Sequence, residues 1–78
     1  MRKDITPFNK QGQPHGWWEE YWPDGQLMLK GNYIYGKKDG FWKFYFPEGQ
    51  LWYQGNYINE KEDGLWIIGN YKRTIFFL

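Results

Sequence analysis

Residues 39–64 read DGFWKFYFPEGQLWYQGNYINEKEDG, and residues 15–40 read HGWWEEYWPDGQLMLKGNYIYGKKDG, which is nearly the same text twenty-four positions earlier. Glycines 16, 40 and 64 correspond at this spacing, and so do tryptophans 18, 42 and 66. Repeated units of this kind stack so that neighbours share a core which one unit could not form alone. The chain is therefore predicted to be a repeat protein.

Each unit has the pattern of a hairpin. An aromatic segment is followed by Pro-Asp-Gly or Pro-Glu-Gly and then by a second β-type segment, QLMLKGNYI or QLWYQGNYI. Proline presets φ in such a turn, and glycine takes the positive φ that closes it. The predicted fold is all-β, an antiparallel β-meander of repeated 24-residue hairpins in one sheet of about five or six strands. The strands are expected near residues 16–22, 26–34, 40–46, 50–58, 64–68 and 71–77, with loops at 35–40 and 59–64.

One domain is expected over residues 1–78, divided into a partial unit 8–15, a unit 16–39, a unit 40–63 and a truncated unit 64–78. Glu60 stands where the loop of the preceding unit has Gly36, so the second loop is free to close differently. The truncated unit lacks the Pro-acid-Gly turn. Either residues 69–70 form a two-residue turn, which we favour, or residues 69–71 end a strand that continues directly from 66–68.

Side chains alternate between the two faces of a strand, so Trp18, Trp42 and Trp66 are predicted to form a row on one face. This row is interpreted first as structural core and second as a binding stripe. Gly31 and Gly55 lie inside strands, where a glycine usually marks a close approach to the backbone. An aromatic ring laid over each glycine is the favoured explanation and a bulge is the alternative. Turn register does not identify the ring.

Composition excludes several classes of partner. Ten basic and nine acidic residues are intermixed, giving a net charge of +1 without a basic stripe, so no nucleic acid partner is expected. No apolar run approaches the ~18 residues of a membrane span, so no stable membrane insertion is expected. The first ten residues lack an apolar signal core, which makes the cytoplasm the expected location.

Residues for catalysis are scarce. The chain contains neither serine nor cysteine, which excludes the nucleophilic triads built on them. His15 is the single histidine and is interpreted as a loop residue equivalent to Asp39, because one histidine with scattered carboxylates does not make a metal site. No catalytic residue, metal or cofactor is predicted, and the protein is not expected to be an enzyme.

The repeating pattern resembles the MORN repeat family, in its bacterial variant type. The matching residues are Gly40, Trp42, Tyr45, Gly49, Leu51, Gly55, Tyr57, Asp63 and Gly64, with their equivalents one unit earlier. The resemblance implies flat or gently curved β-sheets that serve as interaction platforms, and a motif without catalytic residues. Many bacterial relatives are described as antitoxin or immunity components, which is an argument by association.

The function predicted is a non-catalytic protein-binding module that masks or adapts a partner, like an antitoxin, immunity protein or inhibitor. Interface cores favour aromatic side chains, so the predicted partner-binding residues are Trp18, Trp42, Phe44, Trp52, Trp66, Phe76 and Phe77. One alternative is a structural component of a phage or envelope particle that self-associates through its sheet. A further alternative is a carbohydrate or lipid-headgroup binder. Residues 74–78 predict an apolar edge strand, so either a homo-oligomer or docking on a protein partner is expected to cover it.

Overall fold

The computed structural model describes residues 3–69 and 73–77, without the side chains of residues 73, 74, 76 and 77. The strands are β1 (Gly16–Tyr21), β2 (Leu27–Ile34), β3 (Lys37–Tyr45), β4 (Leu51–Ile58), β5 (Lys61–Ile68) and β6 (Arg73–Phe77). Each pairs antiparallel with the next in one six-stranded sheet, which confirms the predicted meander. The molecule measures 38 × 33 × 11 Å, the thickness of a single layer. The described residues contain no helix that could span a bilayer.

The Pro-acid-Gly segments form the predicted turns. In the first, Gly25 N–H donates to the Trp22 carbonyl at 2.9 Å, and Trp22 N–H donates to the Gln26 carbonyl at 2.7 Å. Gly25 has a φ of 95°, the left-handed conformation that follows a type I turn in this kind of hairpin. Phe46, Gly49 and Gln50 repeat the arrangement, with both hydrogen bonds at 2.9 Å.

The connections between hairpins are shorter than the predicted loops. β3 and β5 begin at Lys37 and Lys61, so only residues 35–36 and 59–60 lie between strands. Both residues of each turn have positive φ: 48° and 81° in the first, 53° and 73° in the second. Two-residue turns of this type match the right-handed twist of the flanking strands. The sequence did not predict these two-residue turns, because charged residues are uncommon in strands. Tyrosine and glutamate also rarely take positive φ.

Glu60 closes its turn in the same way as Gly36 despite the substitution. A side chain at positive φ is strained, and Glu60 offsets that cost with contacts to Lys38. Its carboxylate accepts the Lys38 backbone N–H at 3.1 Å and pairs with the Lys38 ammonium at 3.2 Å. Its own N–H donates to the Lys38 carbonyl at 2.9 Å. These contacts tie the turn at residues 59–60 to Lys38, near the start of β3.

The truncated unit forms a hairpin of β5 and β6. Ile68 pairs with Arg73, and β6 begins at Arg73 rather than at the predicted residue 71. The antiparallel pairing also excludes a direct continuation. Gly69 N–H donates to the Trp52 carbonyl at 2.8 Å, while the predicted turn residue Asn70 lies outside the described residues.

The segment before β1 lies along the outer edge of that strand. Ile5 and Glu19 exchange two backbone hydrogen bonds, each 2.8 Å long. The Asp4 carboxylate accepts the Tyr21 N–H at 2.8 Å. Strand edges that are covered in this way are protected from pairing with other chains. β6, at the opposite end of the strand order, pairs with β5 alone within the described ranges.

Candidate functional site

One face of the sheet carries a continuous line of aromatic rings, here called the ring ladder. Its members, in order, are Phe8, Trp18, Tyr33, Trp42, Tyr57 and Trp66. Successive ring centroids lie 5.5, 4.9, 5.0, 6.4 and 5.0 Å apart, and every pair of neighbours meets edge to face, with interplanar angles from 75° to 90°. This geometry brings the positive edge of one ring to the negative face of the next, which is the arrangement aromatic pairs prefer.

The glycines inside the strands are explained by the ladder. A Cβ atom on Gly31 would lie 2.0 Å from the Trp42 ring, so only glycine leaves room for the indole. The Trp42 Nε1–H donates to the Asn32 carbonyl at 3.0 Å, which holds the ring in place over the bare backbone. The next unit repeats the contact with Gly55, Trp66 and Asn56. The predicted ring over each glycine is confirmed, and the ring is the tryptophan of the following hairpin.

Burial follows from this packing although the sheet is a single layer. Trp42 is 0% exposed, Trp66 3% and Trp18 8%. The interpretation of these three residues as core is therefore confirmed. Contact of these three tryptophans with a partner stays a prediction, and little of their ring surface is exposed to make such a contact.

A cation covers the centre of the ladder. The Lys38 Nζ lies 5.9 Å from the centroid of Tyr33, 5.7 Å from that of Trp42 and 5.6 Å from that of Tyr57. Cations are attracted to the negative faces of aromatic rings, more strongly so where water is excluded. The Glu60 carboxylate, 3.2 Å away, fixes the ammonium in this position. Lys38 thus helps to keep Trp42 from solvent.

Burial in the ladder raises the pKa of Tyr57 to about 12, with smaller contributions from Tyr53, Glu62 and Glu60. Because an unfolded tyrosine loses its proton near pH 10, the folded state holds this proton more tightly. Stability from Tyr57 is therefore fully present below about pH 10 and is lost as the pH rises towards about 12. We expect urea denaturation to show falling stability across this window and Tyr57→Phe to reduce the fall. Stability that stays constant from pH 9.5 to 11.5 would contradict this.

His15 has the structural place that the sequence predicts for it. Its Nδ1 accepts the Tyr35 backbone N–H at 3.0 Å, and the Asp39 Oδ1 accepts the Asn59 N–H at 3.4 Å one unit later. Both side chains therefore hold the turn between hairpins, which confirms the interpretation of His15 as the equivalent of Asp39. Among the described residues, no three side chains of the metal-ligating types come together.

The opposite face carries a second row of large apolar side chains, here called the exposed row. Trp17 is 48% exposed, Phe41 53% and Leu65 56%. Each directly precedes a ladder tryptophan, and strand alternation therefore points it to the other face. The predicted site residues do not include this row. The signal that could have found it is a large apolar residue at the same position of all three units.

A groove of about 500 Å³ lies in the exposed row, here called the lysine groove. Trp17 and Phe41 stand at its sides. Its other lining residues are Lys30, Asn32, Asp39, Gly40 and Lys43. The Trp17 Nε1–H donates to a Glu19 carboxylate oxygen at 2.7 Å, and the Tyr21 hydroxyl donates to the other oxygen, also at 2.7 Å. These two bonds lower the pKa of Glu19, and Lys30 adds to the effect.

A smaller hollow of about 130 Å³ lies beside Trp66, here called the terminal hollow. It is lined by Trp52, Tyr53, Glu62, Trp66, Ile68 and Ile75. The cross-strand partner of Trp66 is Ile75, whereas one unit earlier the cross-strand partner of Trp42 is Gly55. This cross-strand pair therefore has a side chain where the pair one unit earlier has glycine.

The predicted site residues divide between these places. Trp52 and Trp66 meet in the terminal hollow, where Trp52 is 46% exposed and stacks on Phe46 with centroids 5.2 Å apart. Phe44 adjoins the hollow through a stack on Tyr53 at 4.4 Å. Trp18 and Trp42 lie further back in the ladder. The side chains of Phe76 and Phe77 lie outside the described part of β6.

No curated protein matches this chain. The family model of the MORN repeat variant matches twice, at residues 14–35 and 38–59, together more than half of the chain. The two matched segments hold the hairpins that supply Trp18, Tyr33, Trp42 and Tyr57 to the ladder. MORN repeats are non-enzymatic modules that generally bind proteins or membranes. The chain belongs to the MORN repeat variant family.

Proposed function

We propose that this protein is a non-catalytic module of the cytoplasm that binds another protein and masks or adapts it, as an antitoxin, immunity protein or inhibitor does. The observation that carries the proposal is the terminal hollow. Its walls are aromatic and aliphatic, and Trp52 and Ile75 are each more than two-fifths exposed. Partner-binding surfaces concentrate their energy in such pockets, which accept one large apolar side chain of the partner.

The packing around Trp66 supports an apolar anchor as the occupant. Trp66 contacts Tyr57 at 5.0 Å and Tyr53 at 5.7 Å, and it forms part of the wall of the hollow. An aromatic or long aliphatic side chain of a partner placed in the hollow would pack against the exposed side chains of Trp52 and Ile75. Glu62 at the hollow gives a neighbouring cationic group of the partner a counter-charge.

The edge of the sheet supports a second component of the same contact. β6 pairs with β5 alone within the described ranges, so its other side is available to an extended segment. Strand addition supplies main-chain hydrogen bonds, while side-chain pockets supply specificity. A partner strand beside β6 would bring its side chains towards Ile75 and the hollow. Phe76 and Phe77 remain predicted contact residues on this strand.

The test compares variants in affinity capture from the native host. Trp52→Ala combined with Ile75→Asp removes one wall of the hollow and places a charge on another. We expect this variant to lose a stoichiometric partner that the natural chain retains, with binding weakened at least about 100-fold, because anchor residues each contribute roughly 2 kcal/mol or more. Phe41→Ala, on the opposite face, is the matched control and should retain the partner. Equal capture by all three chains would refute the proposal.

Self-association is the second candidate, and the exposed row favours it. Three large apolar side chains in line on a flat face are suited to contact with another copy. We expect the mass from light scattering to rise with concentration if assembly is the function, and Phe41→Asp to abolish the rise. A constant monomer mass for the natural chain would exclude this candidate and leave the masking function in place.

A further inference from the structure

Trp17 is exposed and yet held in one orientation. Nearly half of its surface is open to solvent, while its indole N–H donates to Glu19 at 2.7 Å. The Tyr21 hydroxyl holds the same carboxylate from the other side at 2.7 Å. A fixed orientation adds little packing energy to an exposed ring. It does favour ligand binding, because a side chain that is already fixed loses no conformational entropy when the ligand binds.

Two lysines face each other in the lysine groove. Lys30 on β2 is the direct cross-strand partner of Lys43 on β3. Like charges in this position destabilise a sheet, and an anion placed between them would turn the repulsion into attraction. The Lys43 Nζ also lies 6.0 Å from the Phe41 ring centroid, so the ammonium stays beside the second aromatic wall. Glu19 balances Lys30 in part from the β1 side.

The rest of the groove is polar and open. Asn32 supplies an amide, and Asp39 supplies a carboxylate, one oxygen of which accepts the Asn59 N–H. Gly40 leaves its part of the floor bare, with no atom within 4 Å of the place where a Cβ would stand. The donors and acceptors are therefore spread along the floor between two aromatic walls. A ligand that matches them has a ring to stack, hydroxyls around that ring and an anionic group at one end.

We propose that the lysine groove binds an acidic saccharide, with one sugar ring on Trp17, Phe41 as the second wall and the sugar carboxylate between Lys30 and Lys43. The ring hydroxyls donate to Asp39 and exchange hydrogen bonds with Asn32. The volume of about 500 Å³ lies within the range of small-ligand sites. A nucleotide fits less well, because a base offers polar atoms at its edge alone, whereas a sugar ring carries hydroxyls around it. This site goes beyond the proposed function and lies on the face opposite the ladder.

The test is a titration of the full, nitrogen-15-labelled chain with a disaccharide of galacturonic acid, followed by nuclear magnetic resonance. We expect saturable shifts of the Trp17 indole N–H and of the Asn32 and Gly40 amides. The neutral disaccharide of galactose with the same linkage should bind at least about tenfold more weakly, a difference of about 1.4 kcal/mol. Absence of shifts at these three groups, equal binding of the neutral sugar, or tighter binding of adenosine monophosphate would each overturn the proposal.

Variants separate the two halves of the site. Lys30→Gln with Lys43→Gln should weaken the acidic disaccharide at least about tenfold and leave the neutral one unchanged, and Lys43→Gln alone should give part of the loss. Trp17→Ala should abolish both, while Trp17→Phe, which retains a stacking surface, should restore part of the binding. Trp52→Ala is the control and should bind as the natural chain does. Unchanged affinity in the double lysine variant would overturn the assignment of the anion to these lysines.

Discussion

Gly31→Ala is expected to lower the free energy of unfolding by about 3 kcal/mol or more, the upper end for added volume in a packed core. The new methyl group would lie 2.0 Å from the Trp42 ring, well inside contact distance. The ring has little freedom to move away, because its N–H is bonded to Asn32 and tyrosines enclose it on both sides. The φ of Gly31 lies outside the positive range that favours glycine, so the cost comes from the contact with the ring.

Urea denaturation followed by tryptophan fluorescence measures this cost. The double variant Gly31→Ala with Trp42→Ala should be no less stable than Trp42→Ala alone, because the methyl then enters space that the indole has vacated. Gln54→Ala, next to the equivalent Gly55 and pointing to the other face, should change stability by less than about 0.5 kcal/mol. Costs for Gly31→Ala and Trp42→Ala that simply add would show that the ring does not depend on the bare glycine.

Trp42→Ala is expected to destabilise the protein by about 3–5 kcal/mol, the usual cost of removing a large aromatic side chain from a core. Trp42 is fully buried and contacts Tyr33, Phe44 and Tyr57. A chain of this length has a total stability of roughly 4–12 kcal/mol, so the variant comes close to unfolding. Its loss also leaves the Asn32 carbonyl and the Lys38 ammonium without their contacts to the indole.

Trp17→Ala, one residue earlier, is the matched control. It removes the same side chain from the exposed face and should cost less than about 1 kcal/mol. The measurement is urea denaturation followed by backbone circular dichroism, because the fluorescence of the two variants differs. Equal losses of stability at residues 17 and 42 would contradict the assignment of the core to the ladder face.

The hairpins were predictable because their turns have chemistry that few other structures share. Pro-acid-Gly at the same place in two units predicts the turns at Gly25 and Gly49, and the structure has them. The sequence predicted that an aromatic ring covers Gly31, but it did not identify which residue supplies that ring. A one-residue change of register exchanges the two faces of a strand, and the pairing of β2 with β3 shifts at this glycine.

The candidate site was harder to predict from the sequence than the fold. Trp18, Trp42 and Trp66 were expected at a contact surface as well as in the core, because alternation assigns residues to a face without showing what covers it. Their burial depends on the edge-to-face tyrosines, and that of Trp42 also on Lys38, which pairs with Glu60. The groove at Trp17 depends on a hydrogen bond to Glu19, which no spacing rule reveals.

The contact of each tryptophan with the glycine of the preceding hairpin has a consequence for how such chains can grow. Trp42 meets Gly31 and Asn32 in the same way as Trp66 meets Gly55 and Asn56. Duplication of one whole unit would therefore create a junction of a kind that the chain already contains, whereas an insertion of any other length would misalign indole and glycine. Gene duplication can in this way change the reach of the sheet in discrete steps, without a search for a new core.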